Sequence, residues 1–157
     1  MTDLKKWKIY GLWIGLCEAV GALAGYLSRD GIAAYQAGQT PAISPPGMAF
    51  PIVWGILYAL MGIGAARVSL QPQGYHQGRG LNLMVIQLAV NFCWPLLFFN
   101  LRAYAFSLLW LLMLLGLVIR MALEFYKTDR PAAFAQIPYI IWLCFAAVLN
   151  DLVMQMR

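Results

Sequence analysis

Apolar residues run along this chain in five long blocks, each separated from the next by a more polar stretch. The blocks cover about residues 9–27, 50–68, 81–99, 103–125 and 134–154. Each amounts to about 28 to 35 Å of helix, against a bilayer core of about 30 Å. The pattern predicts an all-α membrane protein built as a bundle of five transmembrane helices. An odd number of spans puts the two termini on opposite faces. Little chain is left over, so residues 1–157 read as one domain.

Periodicity within the blocks picks out particular faces. At 100° per residue, Gln87, Asn91, Trp94 and Phe98 share one narrow face of the third span. Amides in hydrocarbon must point at protein, ligand or trapped water. Pro95 removes the helical bond to the carbonyl of Asn91, which frees an oxygen beside the amide. This face either orients a flat apolar ligand or joins neighbouring helices, Asn and Gln bonding across the bundle and Trp94 packing. Trp54, Tyr58 and Met61 share a face of the second span, and Tyr139, Trp142, Ala146 and Leu149 one of the fifth. Core packing is the plainer account of such stripes.

The first span carries Gly11, Gly15, Glu18, Ala22 and Gly25 on one face, so a neighbouring helix is expected to come close where the carboxyl sits. A carboxylate at mid-membrane costs around 3 kcal/mol, which calls for protonation or a partner, in a structural or a functional role. Lys5, Lys6 and Lys8 before this span imitate a signal peptide, but Glu18 interrupts the apolar region, so a mature helix is expected.

The connections differ in length. Residues 28–49 form a long loop punctuated by Gly31, Gly38, Pro41, Pro45, Pro46 and Gly47, expected to be structureless and to act as a lid or binding element. The second loop, residues 71–80, is polar and carries the lone His76, expected to be solvated. The third, at 100–102, is tight enough to make the third and fourth spans antiparallel neighbours. Arg120 and Glu124 form an i,i+4 pair expected to snorkel together to the surface.

Composition supports the membrane reading. Of 157 residues 62% are hydrophobic and 11% charged, where soluble domains carry roughly a quarter charged. The net charge of +5 is scattered over short loops and serves topology, so no nucleic-acid partner is expected. Lys5, Lys6, Lys8, Arg67, Arg79, Lys127 and Arg130 fall on one side, with Arg29, Arg102 and Arg157 on the other. In a bacterial inner membrane that puts the N-terminus in the cytoplasm, although the sequence leaves open which membrane holds the protein. Cys17, Cys93 and Cys144 lie within apolar runs and are expected to stay free thiols. No Ser/His/Asp set, metal cluster or phosphate loop offers ordinary catalysis a foothold, so no catalytic residue and no metal are expected.

Four motifs resemble the translocator protein family, also called tryptophan-rich sensory proteins, the TspO/MBR family or peripheral-type benzodiazepine receptors. They are S-P-P-G-M from Ser44, V-W-G-I-L-Y from Val53, Q-L-A-V-N-F-C-W-P-L-L-F-F from Gln87, and P-Y-I-I-W from Pro138 with L-N at Leu149–Asn150. The resemblance implies a five-helix bundle, commonly a homodimer in membrane lipid, with a ligand pocket between helices roofed by the first loop. It also implies porphyrins such as protoporphyrin IX or haem as ligand rather than as covalent cofactor, with a transport or sensory role. Trp54, Asn91, Trp94, Trp142 and Ala146 match the family's pocket positions; Tyr58, Gln87, Phe98, Tyr139 and Leu149 share their faces. Tyr35 and Pro41, with Pro45 and Pro46, match the lid pattern. Departures are Ala34, Ala42 and Ile43 where tryptophans are common, and Asp151 for the Tyr of the C-terminal cholesterol motif. Some members are thought to degrade porphyrin in light, an enzyme-like alternative that would use pocket tryptophans as electron donors.

Overall fold

A computed structural model describes residues 2–157. In chain order the helices are α1 (Asp3–Leu27), α2 (Arg29–Ala37), α3 (Ala49–Ser69), α4 (Tyr75–Pro95), α5 (Tyr104–Thr128), α6 (Arg130–Phe134) and α7 (Ile137–Met156). A single π turn, Leu96–Asn100, continues α4. Among the described residues five helical stretches are long and apolar enough to cross a membrane: α1, α3, α4 with its π turn, α5, and α6 with α7. The five-span reading therefore stands, and no strand occurs among the described residues.

Small residues set how closely the helices approach. A Cβ on Gly62 of α3 would lie 2.6 Å from the Cα of Ile14, so these two backbones are nearly in contact. Gly21 leaves the room that the Tyr58 ring fills, since a Cβ there would lie 2.3 Å from it. Trp13 adds a polar tie between α1 and α3, its Nε1 donating to Ser69 Oγ at 2.8 Å. The face of α1 turned toward α3 is thus Ile14, Cys17 (buried) and Gly21. The expected approach along Gly11, Gly15 and Gly25 does not occur within the chain, because nothing lies within 4 Å of a Cβ at any of them. Glycines offer no side chain to grip, and the apolar surface of α3 pulls α1 around toward its bulkier Ile14 and Cys17 edge.

On the other side of the bundle α5 packs between α4 and α7, so the third and fourth spans are neighbours as their tight connection implies. Pro95 ends the α-helical register. Beyond it the chain widens, with Leu101 N–H donating to Leu96 O at 3.0 Å.

Three local expectations are corrected. The long first loop is not structureless, because Arg29–Ala37 forms α2, with Asp30 in its first turn where a helix favours negative charge. Its low hydropathy, Gly31 within it and Gly38 after it conceal it. Next, α4 begins at Tyr75, so His76 is on a helix and not in a loop; its ring stays part-exposed, and its Nδ1 lies 2.6 Å from Glu124 Oε2. Last, Arg120 and Glu124 do pair, at 3.2 Å, but the carboxylate does not snorkel outward. It is 1% exposed, drawn inward by His76 and by Arg79, whose Nε lies 3.5 Å away. Spacing on one helix cannot show a histidine and an arginine arriving from another. At the same end Asp129 caps α6 through Ala132 N–H at 3.1 Å and pairs with Arg67 at 2.7 Å.

The three cysteines are free.

Candidate functional site

The kink at Pro95 and the close α1–α3 contact leave a wedge between them. It holds a cavity of about 530 Å³, within the range of small-molecule sites. Helix α1 contributes Glu18, Gly21, Ala22, Ala24 and Gly25. Phe50, Pro51, Trp54, Gly55 and Tyr58 come from α3, and Pro95 and Phe99 close the inner side. Above them α2 supplies Arg29, Ile32 and Gln36. Gln36 packs on Gly47, where a Cβ would lie 2.9 Å from its amide, so the lid segment closes on itself across Pro45 and Pro46.

The wall is aromatic and two layers deep. Trp54 lines the cavity, its ring centroid 5.6 Å from Tyr58, 6.2 Å from Tyr139 and 6.3 Å from Trp142. Phe50 touches both Trp142, at 6.1 Å, and Phe99, at 6.4 Å. The edge-to-face contacts with Tyr139 and Trp142 hold Trp54 from behind. Trp142 Nε1 is buried without a hydrogen-bond partner among the described residues. Such an orphan donor costs about 1 to 3 kcal/mol.

Behind this wall lies a closed polar chain. Tyr58 Oη donates to Asn91 Oδ1 at 2.8 Å, Asn91 Nδ2 donates to Tyr139 Oη, and Tyr139 Oη donates to Gln87 Oε1 at 2.7 Å. Gln87 Nε2 ends the chain against Met84 Sδ at 3.4 Å. Gln87 and Asn91 thus join α3, α4 and α7, and their amides are used within the bundle. Only the Tyr58 ring links this chain to the cavity. Trp94 is also bound inward, its Nε1 donating to Asn150 Oδ1 at 3.2 Å, and Asn150 Nδ2 in turn donates to Tyr104 O at 2.8 Å. Phe98 stacks on Trp94 at 5.0 Å, while Ala146 and Leu149 are buried in the same core.

The sequence-predicted residues therefore fall into three shells. Trp54, Tyr58 and Glu18 face the cavity, Tyr139 and Trp142 back Trp54, and Gln87, Asn91, Trp94, Phe98, Ala146 and Leu149 lie in the sealed core. Glu18 is half-buried and makes no hydrogen bond or ion pair with the described residues, so the expected protein partner is absent.

The lid is anchored by α2. Tyr35 is 4% exposed, wedged against Phe98 at 5.7 Å and Phe99 at 5.4 Å, with its Oη 2.9 Å from Ser44 Oγ. Burial pushes its phenol above the usual range, a shift that the Ser44 bond and the nearby Arg157 oppose. Gly31 sits on the π turn, where a Cβ would meet the Phe99 carbonyl at 2.7 Å, and Asn100 Nδ2 donates to Leu27 O at 2.9 Å. Pro41 is buried beneath the segment, Pro45 half-buried and Pro46 exposed.

Periodicity missed Phe50, Phe99, Gln36 and Arg29, all on the cavity wall. Gly21 was the available signal, since a glycine facing a tyrosine marks where two helices meet and where the wedge must open. Among the described residues no three His, Cys, Asp or Glu side chains lie close enough to hold a metal ion.

The profile of the TspO/MBR family matches residues 13–155. The chain is 33% identical to the translocator protein of Bos taurus over 139 residues, 86% of this chain and 82% of that one. Protein CrtK of Rhodobacter capsulatus is 33% identical over 143 residues, 90% of this chain and 88% of its own length. The tryptophan-rich protein TspO of Chlorobaculum tepidum is 32% identical over 150 residues, 93% and 94% of the two chains. Five apolar helices and a match over nearly the whole length lead to one conclusion: this chain is an integral membrane protein of the TspO/MBR family.

Proposed function

We propose that the wedge between α1 and α3 is a receptor or carrier site for flat, hydrophobic porphyrin-type ligands, protoporphyrin IX or haem, in a transport or sensory role. The observation that carries this reading is the cavity of about 530 Å³ whose inner wall is Trp54, Tyr58, Phe50 and Phe99. Flat rings gain most from edge and face contact with such a wall, while Arg29 and Gln36 at the lid offer donors to acidic substituents. Trp54 and Tyr58 are the contact residues, and Tyr139 and Trp142 set the angle of Trp54. Gln87, Asn91, Trp94, Phe98, Ala146 and Leu149 act from behind, by fixing the helices that frame the wedge. Tyr35, Pro41, Pro45 and Pro46 hold the lid. The test is a titration of purified protein with protoporphyrin IX, haem and cholesterol in parallel, read by tryptophan fluorescence. Saturable quenching by the porphyrins that weakens in Trp54→Leu supports the site, and quenching equal in both proteins counts against it.

A second reading rests on the contact between Trp54 and Trp142, 6.3 Å apart, the first on the cavity and the second behind it. Such a pair suits electron donation to a photo-excited porphyrin, so light- and oxygen-dependent breakdown of the ligand is the enzyme-like alternative. Bleaching of bound protoporphyrin in lit, aerated samples and not in dark or argon-flushed ones distinguishes it from plain binding.

The reading includes a homodimer in a bacterial membrane. The basic bias of one face and the open Gly11–Gly15 edge of α1 support it, with no face assigned to the contact. Crosslinking in mild detergent that yields only monomer would remove the dimer.

A further inference from the structure

A second, smaller pocket of about 80 Å³ lies where α2, the π turn, the start of α5 and the chain beyond α7 meet. It is lined by Gly31, Ala34 and Tyr35 of α2, Phe98 and Phe99 of the π turn, Arg102 and Tyr104 at the start of α5, and Arg157. We propose that this pocket binds a phosphate-class oxyanion between Arg102 and Arg157.

Four observations converge on it. Two guanidinium groups line a space that holds about two or three waters, and no carboxylate side chain lines it with them. Arg102 makes no hydrogen bond or ion pair with any described residue, and Arg157 commits one N–H, Nη2 donating to Gln39 O at 2.8 Å. Each guanidinium carries five donors in a planar fork suited to oxyanions, so most of the donor capacity is unspent. Arg102 is also the one non-glycine described residue with positive φ, at 52°. A left-handed arginine costs of order a kilocalorie or more, and such strain concentrates at binding and functional sites. Finally, Tyr35 and Tyr104 flank the space, with Arg157 5.7 and 6.0 Å from their rings. Those contacts orient the exposed guanidinium over the pocket mouth.

The same chemistry has two sources, free phosphate or the phosphate of an anionic phospholipid. Leu101, Phe106 and Leu109 next to Arg102 are exposed apolar residues on which acyl chains can lie. An anion held here would connect α2, α5 and the end of α7, and Phe99 belongs to this pocket and to the large cavity alike. Lid opening and anion binding therefore share a wall.

Thermal unfolding tests the assignment in two arms. In uncharged detergent, sodium phosphate is compared with sodium chloride at matched ionic strength. In nanodiscs, phosphatidylglycerol is compared with phosphatidylcholine. A rise in melting temperature of about 2 to 4 °C in either arm is expected, a shift readable for a chain of this size. A response to phosphate in detergent identifies a free-anion site, and a response confined to phosphatidylglycerol identifies a lipid site. Arg102→Gln and Arg157→Gln should abolish it, and Arg130→Gln, at the opposite end of the bundle, should keep it. Arg102→Gly guards against misfolding, because glycine accepts φ 52° freely and should melt at least as high as the parent in chloride while losing the response. No shift in either arm, or a shift that persists in Arg102→Gly, overturns the proposal.

Discussion

Helix α1 and helix α7 cross the same bundle but are built to different standards. In the most apolar stretch of α1 11% of the residues are buried; in that of the fifth span the share is 39%. The difference follows polar partnership more than hydrophobicity. Along α7, Tyr139 and Asn150 are tied by hydrogen bonds to α4 and α5, with Gln136 just ahead of it donating to Leu60 O at 3.3 Å on α3. Helix α1 is tied to other spans near its two ends, by Trp13 to Ser69 and by the Asn100 amide to Leu27 O; between them it carries no bonded amide, and beyond Gly21 it diverges from α3 and leaves the cavity. In a membrane, where apolar packing gains little over lipid contact, bonded amides mark the fixed half and their absence marks the half that can open.

The largest effect is expected where that fixed half is cut. Asn91→Leu strands the hydroxyl of Tyr58 and takes a donor from Tyr139, at about 1 to 3 kcal/mol for each group left unsatisfied. Unfolding in denaturing detergent should show a loss of about 2 to 5 kcal/mol, with porphyrin affinity of the folded fraction within about threefold of the parent. A tenfold loss of affinity at unchanged stability would move Asn91 from the core to the cavity. Next in size is Trp54→Leu, on the open half. It should weaken protoporphyrin binding about tenfold, or 1.4 kcal/mol, while the melting temperature moves little. A large stability loss without a change in affinity would erase the distinction between the halves.

Five spans, the tight third connection and the α4 polar face were legible because length and the 3.6-residue period are local properties. What Asn91 and Gln87 face was not, because a face shows only that partners are needed, and phenol hydroxyls 33 to 52 residues away in sequence meet them as well as a ligand would. Glu124 shows the same limit, since its burial depends on His76 and Arg79 arriving from another helix. Helix α2 was hidden by its own polarity. Trp54 and Tyr58 were placed on a shared face by spacing, while Phe50 and Phe99, at the ends of their helices, had no periodic signal to set them apart.

Two glycines of α1 sharpen the comparison within one helix. Gly21→Ala puts a methyl 2.3 Å from the Tyr58 ring, and the ring is held by its bond to Asn91, so overpacking of about 1 to 3 kcal/mol is expected. Gly15→Ala meets nothing within 4 Å and should be neutral, or stabilising by up to about 1 kcal/mol through helix propensity. Both variants measured by the same unfolding assay give opposite signs if α1 turns its Cys17 edge to α3. Equal losses at the two positions would mean that the glycine edge is also packed, by a second copy of the chain.

The smallest stability effect belongs to Glu18, although it is the one acidic residue within the apolar stretch of α1. A carboxyl bonded across the bundle would make Glu18→Ala strand its partner at about 1 to 3 kcal/mol. No described residue bonds it, and its neighbours on the same face, Ala22 and Gly25, line the cavity with it. Glu18→Ala and Glu18→Gln should therefore both stay within about 0.5 kcal/mol of the parent in unfolding measurements, as for a position outside any packed network. The change should appear in binding instead. Protoporphyrin IX carries two propionates, and an ionisable carboxyl on the cavity wall opposes them when charged, so Glu18→Gln should bind it about two- to threefold more tightly, a few tenths of a kilocalorie. The gain should shrink for a porphyrin dimethyl ester, which lacks the charges. A loss of more than about 1 kcal/mol of stability in Glu18→Ala, with no change in affinity for either porphyrin, would return Glu18 to the packed half of the molecule.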